Sequence, residues 1–278
     1  MLISSENHLA NSTSTFKSQK LTHGDLLHNS QPDSNHLFFL LEGEAIFNNI
    51  DVIGKNIQSG TFFFIPFSSE MTIEAVSTCK FIIFSFDNFV TIYEQIYFRE
   101  LSPFCNQTEQ NFEIIRMNPS ITYFINDIAK SLELDFDQTE IQQLKHEELI
   151  CLLSSTYTAE EMASIFYPIA GKSYDFRKLI LKNYLKIKNI EDLVQCTGLK
   201  RKTFDRQFTN EFNVAPYQWI LNQKAKHIKY ALSETTDKMS CIMKKYGFSI
   251  APHFTRFCRE QFGFSPMELR KKLQRARL

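Results

Sequence analysis

Tyr246-Gly-Phe-Ser-Ile-Ala-Pro-His-Phe-Thr-Arg-Phe-Cys-Arg-Glu-Gln-Phe-Gly-Phe-Ser-Pro266 is the stretch on which the reading of this chain turns. Its pattern has a counterpart fifty positions earlier. Phe254-x-Arg256 repeats Phe204-x-Arg206, and Phe262, Gly263 and Pro266 repeat Phe212, Asn213 and Pro216 at the same offset. Upstream, Gly247-Phe248 answers Gly198-Leu199, one residue out of step. Each copy therefore reads as a short helix, a glycine turn, a second helix, a stop at Asn or Gly, and a proline. A tight glycine turn between two crossed helices is the helix-turn-helix device. Asn213 and Gly263 stand where a left-handed residue ends a helix.

Helical spacing assigns the faces. Phe204 with Phe208, and Phe254 with Cys258, lie one turn apart and are expected to pack inward. Lys202, Asp205 and Arg206, then Thr255, Arg256 and Arg259, are left outward or on the rim. The start of each second helix is then free to enter a major groove. Between the copies, residues 216–232 read as one helix, with Pro216 suited to its first turn. At 1.5 Å per residue it is roughly 25 Å long. A stiff strut of that size holds two recognition helices near one turn of B-DNA apart, about 34 Å. Trp219 and the strut aromatics are expected in the core, and His227 on the strut's surface or rim. Lys271, Lys272, Arg275 and Arg277 form a basic tail.

The charge distribution points the same way. The 278-residue chain carries 31 basic and 31 acidic side chains, but unevenly. Residues 1–171 hold 8 Lys/Arg against 22 Asp/Glu, and residues 172–278 hold 23 against 9. A half of net −14 followed by a half of net +14 implies two modules, the basic one seeking a polyanion. Apolar content of 43% with 27 Phe supplies packed cores and excludes wholesale disorder. No apolar run reaches the ~18 residues of a membrane span. Residues 1–14 lack the basic start and apolar stretch of a secretory signal, so a cytoplasmic location is expected. The six cysteines never form Cys-x-x-Cys, which favours isolated, reduced core thiols over disulfides or zinc.

The acidic half reads differently. Strands are expected at 37–41, 45–47, 61–66, 72–76 and 81–86, with Asn48-Asn49 as a turn between two of them. Short connections make neighbours antiparallel, in a β-sandwich or barrel. Phe38, Phe39, Phe62, Phe63 and Phe64 could line an apolar pocket; because three are consecutive both sheet faces would be apolar, and core on one side with a helical cover on the other is the simpler account. Helical spacing follows at 119–134, 140–153 and 159–169. Gly171-Lys172-Ser173 marks a boundary that coincides with the charge switch. Beyond it Asp175 reads as the cap of a helix bearing Phe176, Leu179, Ile180 and Tyr184. Further helices are expected at 190–196, 201–212, 237–246 and 251–262.

Six segments carry a family resemblance: Ile190-Glu-Asp-Leu-Val-Gln-Cys-Thr-Gly198, Thr203-Phe-Asp-Arg-Gln-Phe208, Pro216-Tyr-Gln-Trp-Ile220, Tyr246-Gly-Phe248, His253-Phe-Thr-Arg-Phe257 and Gln261-Phe-Gly-Phe-Ser-Pro266. Over about residues 175–272 the chain resembles the AraC-type transcription regulators. It departs from them at Val194 and Met243, where Ala is usual, at Pro252, at Cys258 and at Lys224-Ala225. Val194, Met243 and Cys258 read as changes of core volume. Pro252 fits a first helical turn, although it removes a phosphate or cap contact. The resemblance implies that Lys200, Arg201, Lys202, Asp205 and Arg206 meet DNA from the first recognition helix. Ser249, Ile250, Ala251, His253, Thr255, Arg256 and Arg259 would do so from the second. Arg206 and Arg256 offer bidentate forks to guanine or phosphate.

Leu40-Leu-Glu-Gly-Glu-Ala-Ile-Phe47, followed by Gly60-Thr-Phe-Phe-Phe-Ile-Pro66, resembles the cupin-like barrel at the N-terminus of many such regulators. The implied fold is α+β and multidomain. A cupin-like antiparallel barrel with following helices precedes an all-α double helix-turn-helix domain. Residues 1–105 would form the sensing domain, 106–171 a helical dimerisation region and 172–278 the DNA-binding domain. The implied partners are double-stranded promoter DNA, RNA polymerase, a small-molecule or protein effector at the N-terminal domain, and a second copy of the chain engaged through residues 138–155. No membrane, cofactor, metal or enzyme activity is expected. Two alternatives stand beside this. In a cupin-type metalloenzyme, His23, His28 and His36 would have to converge, yet no His-x-His occurs, and Glu42 and Glu44 merely flank a turn glycine. An interaction protein would keep the fold without binding DNA.

Overall fold

The computed structural model describes residues 14–29, 34–67, 69–87, 92–105, 112–134, 139–170, 174–185, 187 and 189–275. The chain divides into two compact units, one of residues 1–48 with 55–174 and the other of 49–54 with 175–278.

Among the described residues the first unit opens with eight strands: β1 (Ser14–Leu21), β2 (Leu26–Asn29), β3 (Asn35–Glu42), β4 (Glu44–Asn49), β5 (Lys55–Gln58), β6 (Thr61–Ile65), β7 (Met71–Ala75) and β8 (Cys79–Phe86). Helices α1 (Ile92–Glu100) and α2 (Ser102–Cys105), the short strand β9 (Ile115–Arg116), and helices α3 (Pro119–Glu133), α4 (Thr139–Thr156) and α5 (Ala159–Phe166) follow. The strands form two sheets, ordered β1-β8-β3-β6-β9 and β2-β7-β4-β5. β1 pairs with β8, β2 with β7, β3 with β6 and β4 with β5, all antiparallel. That nesting is one long hairpin rolled up, the double-sheet jelly roll. Among the described residues it makes a two-sheet sandwich, and a closed barrel is not seen.

Successive residues of a strand point to opposite faces, so the phenylalanine run divides. Phe63 joins Phe38 and Phe47 at ring separations of 5.2 and 5.1 Å. Phe62 and Phe64 point the other way, into a core with Phe39, Phe84 and Phe86 that Phe98, Phe124, Leu149, Met162 and Phe166 of the helices complete. Sheet and helices thus share one core.

Two local features differ from the sequence expectation, and a third, the turn glycine, agrees with it. Strands β1 and β2 lie ahead of the expected β region. β1 reads Ser-Thr-Phe-Lys-Ser-Gln-Lys-Leu and is mostly polar; its register with β8, the bond from Phe16 N to Gln142 Oε1 (2.9 Å) and the buried Phe16 ring, stacked 4.5 Å from Phe84, hold it. Asn48 and Asn49 remain in β4. The Asn49 Oδ1 accepts from the amides of Asp51 and Val52 at 2.9 and 2.8 Å, so the side chain organises a turn just beyond itself. Gly43, between β3 and β4, has φ +90°, and a Cβ there would lie 2.3 Å from the Thr78 carbonyl oxygen. No residue with a side chain fits.

The second unit is helical: α6 (Tyr174–Asn183), α7 (Ile190–Thr197), α8 (Arg201–Phe212), α9 (Pro216–Glu234), α10 (Met239–Lys245), α11 (Ala251–Phe262) and α12 (Pro266–Arg275). α6 already starts at Tyr174, so Asp175 sits inside its first turn, where its charge suits the helix dipole, and is not the cap. Gly171-Lys172-Ser173 lies outside the described residues. Two cores form. Phe176, Ile180, Tyr184, Leu193, Phe204, Phe208, Phe212 and Trp219 make the first. Ala225, Ile228, Ala231, Leu232, Ile242, Tyr246, Phe254, Phe257, Cys258 and Leu269 make the second. α9 feeds both, Trp219 to the first and the residues from Ala225 onward to the second. Its 19 residues span about 28 Å. All six cysteines are free, but only Cys79, Cys105 and Cys258 are buried. Cys151, Cys196 and Cys241 are exposed, which corrects the expectation of core thiols throughout.

Candidate nucleic-acid interface

Each helix-turn-helix unit is built by local chemistry. α7 opens with a capping box. Asn189 Oδ1 accepts from the Asp192 amide at 3.0 Å, and the Asp192 carboxylate accepts from the Asn189 amide at 3.3 Å. It closes at Gly198 in the left-handed conformation, φ 66°. α8 then runs twelve residues and stops at Asn213, φ 56°, the single non-glycine residue with positive φ among those described. In the second unit Gly247 (φ +78°) follows α10, and α11 runs twelve residues to Gly263 (φ +77°). Helices α8 and α11 therefore start and stop fifty positions apart, and so do the prolines that open α9 and α12.

The inner faces are apolar and closed. Phe204, Phe208, Phe254 and Cys258 are all buried, as their spacing predicts. Burial pushes the Cys258 thiol up to about 12. The outer faces match position for position. Lys202, Arg206, Thr209 and Asn210 are exposed along α8, and Pro252, Arg256, Arg259 and Glu260 are exposed at the equivalent places along α11. Lys200 and Arg201 on the first unit, and Ser249, Ile250, Ala251 and His253 on the second, are exposed too. Asp205 and Thr255 are half-buried. Thr209, Asn210 and Glu260 were not singled out from the sequence. Their spacing of three and four from the two arginines is the signal that finds them.

Charge on these faces is unequally free. The Arg201 Nε lies 3.0 Å from both carboxylate oxygens of Asp205, and its Nη1 also meets Glu191 of α7. That arginine ties the two helices together. Arg206 has no carboxylate partner among the described residues. Arg256 is 80% exposed and donates to Glu260 one turn on, at 2.7 Å. The Glu260 carboxylate raises its pKa above the ordinary arginine value. Ala251, Pro252, Thr255, Arg256, Arg259 and Glu260 line an open groove of about 500 Å³ on this helix.

The strut overturns one expectation. His227 is not on the rim but fully buried, because the Tyr184 hydroxyl meets its Nε2 at 2.6 Å and satisfies it inside the domain. Lys224, one turn before it, lies with its Nζ 5.8 Å from the Phe248 ring centre, and burial lowers its pKa. In the first unit the histidines go separate ways. His23 bonds to the Val76 carbonyl at 2.7 Å, His28 to Thr72 at 3.3 Å and His36 to Ser85 at 2.7 Å.

Duplicated, cation-faced second helices on phenylalanine cores define a double helix-turn-helix protein. Residues 193–272 match the family model described as a helix-turn-helix domain. The chain is similar to the virulence regulon transcriptional activator VirF of Yersinia enterocolitica, 23% identical over 166 residues. It is equally similar to the thermoregulatory protein LcrF of Yersinia pestis, also 23% identical over 166 residues. Each alignment spans 59% of this chain and 61% of the relative, so less than two thirds of the relatives' length is matched. Among solved structures, apo ToxT of Vibrio cholerae aligns over 95% of this chain and 98% of its own, at 12% identity and a TM-score of 0.46. Residues 193–272 thus form a helix-turn-helix domain.

Proposed function

We propose that this chain is a sequence-specific DNA-binding transcription activator. The observation that carries the reading is the pair of twelve-residue helices α8 and α11, each apolar inside and each presenting an exposed arginine at the equivalent outer position. A helix of that kind fits the major groove, where side chains reach base edges. Two of them on one strut read successive segments of one duplex. Arg206 and Arg256 are assigned to bases. Lys200, Lys202 and Arg259 are assigned to phosphates, which fix register. Arg201 positions α8 on α7 and touches DNA from that anchored place. Asp205, Ser249, Ile250, Ala251, His253 and Thr255 complete the two contact faces.

The remaining parts follow from this reading. The jelly roll with its helical cover, residues 1–105 and 106–171, serves as the control domain. It takes the role of the cupin-like domain and receives a small effector or a protein partner. α4 supplies a homodimer contact, and RNA polymerase is the downstream partner. The reading is of a binding protein rather than an enzyme, supported by relatives that are themselves regulators.

The test is binding of the full chain to duplexes selected from randomised DNA, followed across a salt series. Six cations stand exposed on the two faces: Lys200, Arg201, Lys202, Arg206, Arg256 and Arg259. If all meet phosphate or base, the slope of log affinity against log salt is about −5. Affinity that is absent, or indifferent to salt, refutes the reading.

A further inference from the structure

We propose that the buried Tyr184–His227 pair is a positioning contact that locks the two helix-turn-helix units at one fixed mutual angle. Resting on the DNA-binding reading above, this angle sets the spacing of the two segments read by α8 and α11. Neither residue belongs to a reading face. Tyr184 directly follows α6 and sits in the first core, its ring 5.1 Å from Trp219. His227 lies on α9 with no exposed surface. Its ring is 5.9 Å from Tyr184 and 6.0 Å from Tyr246, which caps α10 in the second core. One imidazole on the shared strut thus stands between an aromatic of each unit.

The chemistry explains why a histidine there matters more than an apolar residue would. Apolar surfaces tolerate small slides and rotations, since burial is not directional. A hydrogen bond of 2.6 Å between buried groups is directional, and breaking it strands a polar atom away from water. Rotation of the first unit about the strut moves the Tyr184 hydroxyl off Nε2. The penalty for that movement falls on the angle between the units. Leu185, the next residue, packs against both cores and continues the same seam.

The exposed cysteines Cys196 on α7 and Cys241 on α10 provide one labelling site on each unit. In the full chain with Cys151→Ser, nitroxide labels at these two sites are expected to give a single narrow distance distribution by pulsed electron resonance. Tyr184→Phe is expected to widen it at least twofold while melting remains one transition. His227→Gln, which keeps an acceptor for the hydroxyl, is expected to stay narrow. An unchanged width in Tyr184→Phe overturns the proposal. Equal widening in both variants also overturns it, because bulk and not the hydrogen bond would then be responsible.

A second arm uses duplexes selected with the wild-type chain and lengthened by one base pair between the two protected segments. The wild type is expected to lose at least tenfold in affinity on insertion, and Tyr184→Phe less than threefold. The same loss in both overturns the link to spacing. If selection enriches no duplex, the DNA-binding reading itself has failed, and the label distances still decide whether the pair holds the units together.

Discussion

Removing the Arg206 side chain separates base reading from folding. Arg206 is exposed on α8, contributes nothing to the phenylalanine core, and has no carboxylate partner among the described residues. Arg206→Ala therefore leaves melting within about 0.5 kcal/mol of wild type, as for a surface substitution away from special features. Its effect on binding is larger. A bidentate arginine–guanine contact discriminates by about 1–3 kcal/mol, which is roughly 5- to 150-fold in affinity. The form of the loss identifies the contact. If Arg206 reads a base, affinity for the selected duplex falls, affinity for unrelated DNA holds, and the salt slope stays put. If it meets only phosphate, both affinities fall together and the slope shrinks by about 1. Arg201→Ala is the internal comparison. That guanidinium is already held by Asp205 and Glu191, so its loss loosens α8 from α7 and weakens binding to all duplexes alike. Fluorescence anisotropy with selected and scrambled duplexes across a salt series measures every quantity. Unchanged affinity in Arg206→Ala, or a loss shared equally by both duplexes, refutes the assignment of Arg206 to a base.

Other substitutions test the scaffold. Asn213→Ala is expected to lower stability by about 1 kcal/mol, because a Cβ-bearing residue without Asn's local hydrogen bonding is strained at φ 56°, while Asn213→Gly is close to neutral; thermal melts distinguish them. A disulfide thiol reagent is expected to modify Cys151, Cys196 and Cys241 in the native chain and to reach Cys79, Cys105 and Cys258 only on unfolding; burial also keeps the Cys79 and Cys258 thiols protonated. Rapid native reaction of all six would contradict the packing. Burial lowers the His36 pKa from 6.5 to about 4. The folded state then resists a proton that the unfolded chain accepts, so this contribution is full above pH 6.5 and drains as pH falls toward 4. Its loss amounts to about 3 kcal/mol at most. His36→Gln is expected to flatten the pH dependence of melting in that window, and an unaltered profile would show that His36 is not its source.

The two halves of the chain differ in how far their sequence reveals them. Second-unit helices begin and end at residues whose effect is local: Pro216 at a first turn, Gly198 and Gly263 in the left-handed region, phenylalanines one turn apart. Such signals survive without neighbours, so α8 and α11 and their facing were legible. β1 was not legible. Six of its eight residues are polar, and Phe16 and Leu21, five positions apart, make no alternation; pairing with β8 makes it a strand. Asn48-Asn49 misled for a related reason, since asparagine favours turns but here extends a strand and folds the residues after it.

The sequence by itself determined the repeat, the charge division and the inward phenylalanines, because each depends on spacing along one helix or on simple composition. Tertiary structure decided what the polar side chains do. It turned His227 from a rim residue into a buried partner of Tyr184, gave Arg201 to Asp205 and Glu191 while leaving Arg206 free of carboxylates among the described residues, and rolled the strands into nested pairs. Most of those outcomes depend on groups the chain brings together across turns and between elements, as with Arg201 and Glu191, 10 positions apart, or Ser14 and Phe86, 72 apart. Local periodicity carries no record of such meetings. The free energy of a buried hydrogen bond or ion pair exists only once both partners are in place.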